Sequence, residues 1–222
     1  MPPRALEPAG VALVDKPAGP SSFAIVAQIR RMTGARTGHA GTLDPFATGL
    51  LLLLSGAATR AAPHFVGLDK RYVTDVDLTA RTSTGDPEGD LVDEHDPPEP
   101  GELESLLAPL RGEIELPIPA ASAVKIGGER AYRLHRRGVA VEMPLRRSRV
   151  EALDLVAYDE GVARLDLRVS SGTYVRAIAE ALGGHCRTLR RLEIGPFSLD
   201  EADPERMIAT EEAVARAQAY RS

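Results

Sequence analysis

The sequence has no tryptophan, no asparagine and a single cysteine, Cys186. One cysteine excludes an intramolecular disulfide framework and any multi-cysteine zinc site, and it suits a reducing, cytoplasmic setting. The five histidines, at 39, 64, 95, 135 and 185, lack the spacing of metal ligands, so no metal is expected. Also missing are a Gly-rich phosphate loop ending in Gly-Lys-Ser/Thr, a Gly-x-Ser-x-Gly nucleophile elbow and a His-Glu-x-x-His pair. The most apolar run, Leu50 to Leu54, falls far short of the roughly 20 residues that a membrane span requires. Met1 to Pro8 has no apolar stretch of the signal-peptide kind. No membrane association is expected.

What is present is a polarised charge distribution within a chain of 222 residues and formal net charge −5. A net negative charge argues at first against a polyanionic partner. Between Thr82 and Leu110, however, stand nine acidic residues and no lysine or arginine; without that segment 27 basic residues face 23 acidic ones. From Lys125 to Arg149 there are eight basic residues against Glu129 and Glu142. A nucleic-acid-facing basic segment and a solvated acidic one are the expectation.

Val11 to Val14, followed by Asp15-Lys16-Pro17-Ala18-Gly19-Pro20, reads as a strand and a turn. Ser21 or Ser22 offers an N-cap for a helix through Met32, with Ile25, Val26, Ile29 and Met32 on one face and Gly34 as the stop. Residues 34 to 45 have no apolar periodicity and read as an exposed loop, anchored by the Leu50 to Leu54 run. Alternation through Tyr72, Thr74, Val76 and Leu78, and again through Ala163, Leu165, Leu167 and Val169, predicts two half-buried strands. The acidic stretch reads as a solvated loop leading to a short helix near Leu103 to Leu110. A helix from about Tyr174 to Leu182 is stopped by Gly183-Gly184, and a last helix is capped by Thr210. Such irregular interleaving favours an α+β, mixed α/β fold over a doubly wound parallel sheet.

The chemistry centres on Gly38-His39-Ala40-Gly41-Thr42-Leu43-Asp44-Pro45-Phe46-Ala47-Thr48-Gly49. On its own, an aspartate before proline is a turn former, and Gly38 with Gly41 is only a weak Gly-x-x-Gly RNA clamp. The whole string closely resembles the active-site motif of the TruB family of tRNA pseudouridine synthases. Five further segments match in order and approximate spacing: Asp15-Lys16-Pro17; Lys70-Arg71-Tyr72; Ser122-Ala123-Val124-Lys125 with Gly128 to Tyr132; Gly172-Thr173-Tyr174-Val175-Arg176; and Leu189-Arg190-Arg191-Leu192. The resemblance spans about residues 10 to 200. It implies the pseudouridine synthase fold, with a largely antiparallel central sheet flanked by helices and loops, and one catalytic domain over residues 10 to 222 after an N-terminal tail of residues 1 to 9. It also implies isomerisation of uridine 55 in the T-loop of tRNA, the T-stem-loop being the partner of a monomeric enzyme.

That reaction breaks the N1 glycosidic bond, turns the base and joins C5 to C1′ with no redox change, so no cofactor is expected. It needs a carboxylate beside the ribose, either as nucleophile or as base. By resemblance the carboxylate is Asp44, with Arg176 as the cation that offsets its desolvation. The target base has to be extruded, at a cost of a few kcal/mol; Tyr72 matches the aromatic that stacks on it, a contact worth about 1 to 3 kcal/mol. The resemblance further assigns His39 to holding the RNA loop open and Leu189 to the wall of the uracil pocket. Lys16, Lys125, Gly41 and Thr42 are expected among the RNA-binding residues, Lys16 with Pro17 also supporting the site from behind. Where the family usually has an aromatic just before the Ser-Ala pair, this chain has Ala120 and Ala121, so that part of the wall is expected to be more open. The C-terminal PUA module common in the family has no counterpart up to Ser222. Two other readings stay open: a guide-dependent catalytic subunit of a ribonucleoprotein, and an RNA-binding or tRNA-folding module without catalysis.

Overall fold

The structure, a computed structural model, describes residues 9–221. The tail expected over residues 1 to 9 therefore lies outside the described residues, apart from Ala9. In chain order the elements are β1 (Gly10–Lys16), α1 (Ser22–Thr33), β2 (Thr37–His39), β3 (Thr48–Ser55), α2 (Pro63–Val66), β4 (Lys70–Asp77), β5 (Ala80–Thr82) and β6 (Leu91–Glu94). They continue as α3 (Leu103–Leu107), β7 (Gly112–Pro117), β8 (Lys125–Ile126), β9 (Glu129–Arg130), α4 (Ala131–Arg136), β10 (Leu145–Asp159) and β11 (Val162–Val169). The last are α5 (Val175–Ala181), β12 (His185–Ile194), β13 (Phe197–Ser198), β14 (Met207–Ile208) and α6 (Thr210–Arg221). The chain divides into two compact units, one running to Val73 and resuming at Leu189, the other spanning Thr74–Thr188; the boundaries fall inside β4 and β12.

In the first unit the strand order is β14, β1, β3, β12, with β2 also on β3 and β13 on β12. β1 and β3 are antiparallel from Gly10↔Ser55 to Lys16↔Gly49, whereas β3 and β12 are parallel through Arg190↔Thr48 and Arg191↔Gly49. The five consecutive leucines of β3 follow from its central place. Alternate side chains leave a strand on opposite faces, and both faces are covered. Leu50, Leu52 and Leu54 pack with Phe65, Leu68, Phe197, Ala213 and Ala217; Leu51 and Leu53 pack with Ile25, Val26 and Ile29 of α1. Helix α1 starts at Ser21, whose hydroxyl accepts from the Ala24 N–H, and ends at Gly34 in the left-handed region at φ 67°. Met32, expected on its buried face, is 59% exposed and outside that cluster.

In the second unit the order is β12, β4, β11, β10, β7. The 15-residue β10 pairs antiparallel with both β7 and β11 and changes register between Val150 and Ala152 and between Leu155 and Ala157. β5 and β6 form a hairpin at the start of the acidic segment, and β8 and β9 form another at the head of the basic one. The sheet is thus mostly antiparallel, in agreement with the mixed α/β expectation.

One glycine fixes how closely β3 approaches β12. At Gly49 φ is +100°, and an added Cβ would lie 2.3 Å from the Arg191 carbonyl oxygen and 2.7 Å from its nitrogen. Gly49→Ala is expected to destabilise the protein by about 2 kcal/mol or more, through left-handed strain together with the steric conflict. Urea unfolding measures this, and an unchanged midpoint would contradict the close approach.

Candidate active site

Residues 40 to 47 connect β2 to its antiparallel neighbour β3, and Asp44 stands half-buried in the middle of that connection. The sequence pattern suggested an exposed loop over 34 to 45. Instead, Thr37–His39 pairs with β3 at Leu53 to Ser55, and Ala40 and Leu43 are buried. A three-residue strand carries too little alternation to be seen; β3 beside it supplies the hydrogen bonds that make it one. Gly38 therefore lies in a strand, opposite Leu54, and the Gly38 to Gly41 spacing is not a loop clamp.

Three buried polar side chains hold this loop. Lys16 is fully buried, and its Nζ donates to the carbonyls of Pro17 (2.8 Å), Pro45 (3.1 Å) and Ala47 (2.6 Å). Ser22, 1% exposed, accepts from the Leu43 N–H at 2.8 Å and donates to the Leu43 carbonyl at 2.9 Å. Arg191, also 1% exposed, donates from Nε to Leu50 O (2.7 Å), from Nη1 to Thr42 O (3.3 Å) and from Nη2 to Gly41 O (3.1 Å). Two backbone bonds add to these: Gly19 N–H to Pro45 O at 2.8 Å and Ala47 N–H to Asp44 O at 3.2 Å. The expectation that Lys16 contacts RNA is corrected by its burial. An ammonium enclosed among three carbonyls has no surface to offer, and its part is to support the loop from behind.

Tyr72 on β4 and Leu189 on β12 are each 7% exposed, while Thr42 is exposed and Gly41 and His39 are half-buried. His39 sits at the end of β2 with its Nδ1 enclosed and without a hydrogen-bond partner. Burial, and secondarily the nearby Arg191 charge, pull its pKa below the ordinary histidine value. The same causes act on Lys70, 4% exposed, whose Nζ donates to Val66 O at 3.0 Å and to Leu68 O. Burial first, then Arg191, lower its pKa to about 8.

The second unit carries the other two expected residues. Arg176, in the first turn of α5, is 2% exposed. Its Nη1 donates to Thr84 O at 2.6 Å and lies 3.2 Å from Asp86 Oδ2, and its Nη2 donates to Ala121 O at 3.0 Å. Asp86 is 4% exposed and also accepts from Thr84 Oγ1 (2.6 Å) and the Glu88 N–H (3.0 Å). The acidic segment is thus not uniformly solvated, since Asp86 is an interior partner of Arg176. Lys125 is exposed on β8, directly opposite Arg130 of β9. Ser22, Arg191 and Asp86 were not singled out from sequence. Serine was weighed only as a cap, arginine is rarely buried, and one carboxylate among nine cannot be told from the rest by pattern.

Residues 30–175 match the TruB family pseudouridylate synthase (N terminal domain) model. The tRNA pseudouridine synthase B of Mycobacterium sp. (strain KMS) is 42% identical over 217 residues, covering 91% of this chain and 72% of that protein. The protein of the same name from Arthrobacter sp. (strain FB24) is 40% identical over 229 residues, covering 96% and 75%. A chain in a crystal structure of a Cbf5-Nop10-Gar1 complex superposes with a TM-score of 0.67 at 26% identity; 94% of this chain spans 54% of that one, about half its length. The fold is that of a pseudouridylate synthase, and the chain belongs to the TruB family.

The burial of Lys70 has a consequence for stability. Its folded pKa of about 8 lies below the ordinary lysine value, so between the two the unfolded chain binds more protons and stability rises with pH. Below about pH 8 the penalty is constant. The unfolding free energy of the wild type relative to Lys70→Met is expected to be flat below pH 8 and to move in favour of the wild type as pH approaches 10. A difference that stays flat across this range would contradict the buried, destabilised cation.

Proposed function

We propose that the chain is a tRNA pseudouridine synthase that isomerises uridine 55 of the T-loop, with Asp44 as the catalytic carboxylate. The observation that carries this reading is the Asp44 loop itself: a half-buried aspartate on a connection fixed by Lys16, Ser22 and Arg191, inside the segment that matches the family. The N1–C1′ bond breaks, the uracil turns, the C5–C1′ bond forms and the C5 proton leaves, so atoms balance without an external reactant. Asp44 acts at the ribose, as nucleophile toward C1′ or as base toward the 2′ proton.

By the family resemblance Tyr72 is read as stacking on the extruded base, Leu189 as the apolar wall and Arg176 as the cation of the reaction. An imidazole whose protonation is disfavoured, half-buried at the end of β2, suits His39 as a residue that stacks among RNA bases. Gly41 and Thr42 border the RNA at the loop. Lys125 belongs to the basic segment read as touching it. Opposed like charges at Lys125 and Arg130 are unfavourable on their own, and a phosphate between them would relieve the repulsion. The enzyme is read as a cytoplasmic monomer. Among the described residues no helix is long and apolar enough to cross a membrane, and no group of His, Cys, Asp or Glu could hold a metal ion.

Incubation with tRNA tritiated at uracil C5, without any guide RNA, is expected to release tritium from the wild type and none above background from Asp44→Asn. Absence of release by the wild type, or equal release by the variant, would overturn the assignment. Release that required a guide would favour the ribonucleoprotein alternative.

A further inference from the structure

Arg191 is joined to both ends of the catalytic loop. Its backbone lies in parallel register with Gly49, where the absence of a Cβ permits the approach, and its guanidinium reaches Leu50 O, Thr42 O and Gly41 O at 2.7, 3.3 and 3.1 Å. Gly41 itself is at φ +104°, and a Cβ there would lie 3.7 Å from Arg191 Nη1. Residues 43 to 48, with Asp44 among them, are therefore suspended between two points fixed by a single side chain. Lys16 and Ser22 hold only the stretch within that span, at Leu43, Pro45 and Ala47. At 1% exposure Arg191 has no surface from which to touch RNA.

We propose that Arg191 is a positioning residue for the isomerisation, acting through Asp44 by clamping the two ends of its loop with one guanidinium fork. This rests on the reading of Asp44 given above. A fork is required because each carbonyl is met by a different guanidinium nitrogen: arginine presents donors in several directions in one plane, whereas lysine offers a single point of charge. Misplacement of a reacting group by about 1 Å is enough to cost on the order of 10²-fold in rate.

The test compares wild type, Arg191→Lys and Arg191→Met by kcat and KM for tRNA, by thermal melting and by the NMR titration of His39. Arg191→Lys is expected to melt cooperatively, to keep KM within about twofold and to lose on the order of 10²-fold in kcat. His39 should titrate near its wild-type value in Arg191→Lys and upward of it in Arg191→Met, because only the latter removes the neighbouring charge; a role confined to packing would not separate the two variants. Wild-type kcat in Arg191→Lys, an equal loss in kcat and RNA affinity, an unfolded Arg191→Lys protein or an unmoved His39 in Arg191→Met would each overturn the proposal. Failure of the wild type to release tritium would instead overturn the reading of Asp44, so the two failures are distinguishable.

Discussion

The loop that carries Asp44 depends on buried cations satisfied by backbone carbonyls. Removing a lysine or an arginine from water costs several kcal/mol, and a hydrogen bond to a charged group returns about 1.5 to 3 kcal/mol. Lys16 and Arg191 each donate to three carbonyls. The arrangement is therefore tolerable only while the loop keeps one conformation. Were the carbonyls of Gly41, Thr42, Pro45 or Ala47 to turn away, a charge would be left enclosed without its partners. The conformation of the loop and the burial of the cations enforce one another, and this is how a connection between two strands becomes rigid enough to present a carboxylate.

The electrostatic consequences reach beyond geometry. Burial first, and the Arg191 charge second, disfavour a further positive charge nearby and lower the pKa of both His39 and Lys70. His39 thus meets its surroundings as an uncharged ring. In the second unit the balance is different: the Arg176 guanidinium is held by Thr84 O, Ala121 O and the Asp86 carboxylate, and Glu180, one turn further along α5, has its carboxyl pushed upward by burial. A net charge of −5 conveys none of this, because the determining charges are interior and fixed.

How much of this was legible in the sequence depends on the kind of signal. Helix α1 could be read because Ser21 and Gly34 punctuate it, and β4 and β11 because their residues alternate between a buried and a more exposed face. β12 was not readable as a strand: its buried position 191 is an arginine, which breaks the apolar alternation. β10 is obscured by two register shifts that change which face its residues take. The Asp44 string and the support given by Lys16 stood out through family resemblance, whereas the hold that Ser22 and Arg191 have on the loop did not. A buried Ser22 or Arg191 looks in sequence like any exposed polar residue, and only the backbone groups around it reveal the difference.

The central claim is that the Asp44 loop is rigid before RNA arrives. Native-state hydrogen exchange of the RNA-free protein addresses it at two amides, Ala40, which donates to Leu52 O at 3.0 Å, and Leu43, which donates to Ser22 Oγ at 2.8 Å. Protection of both amides to the level of β3 is the expected result, since opening the loop would require exposing buried charge. Exchange at the rate of an unprotected peptide at either position would contradict the account.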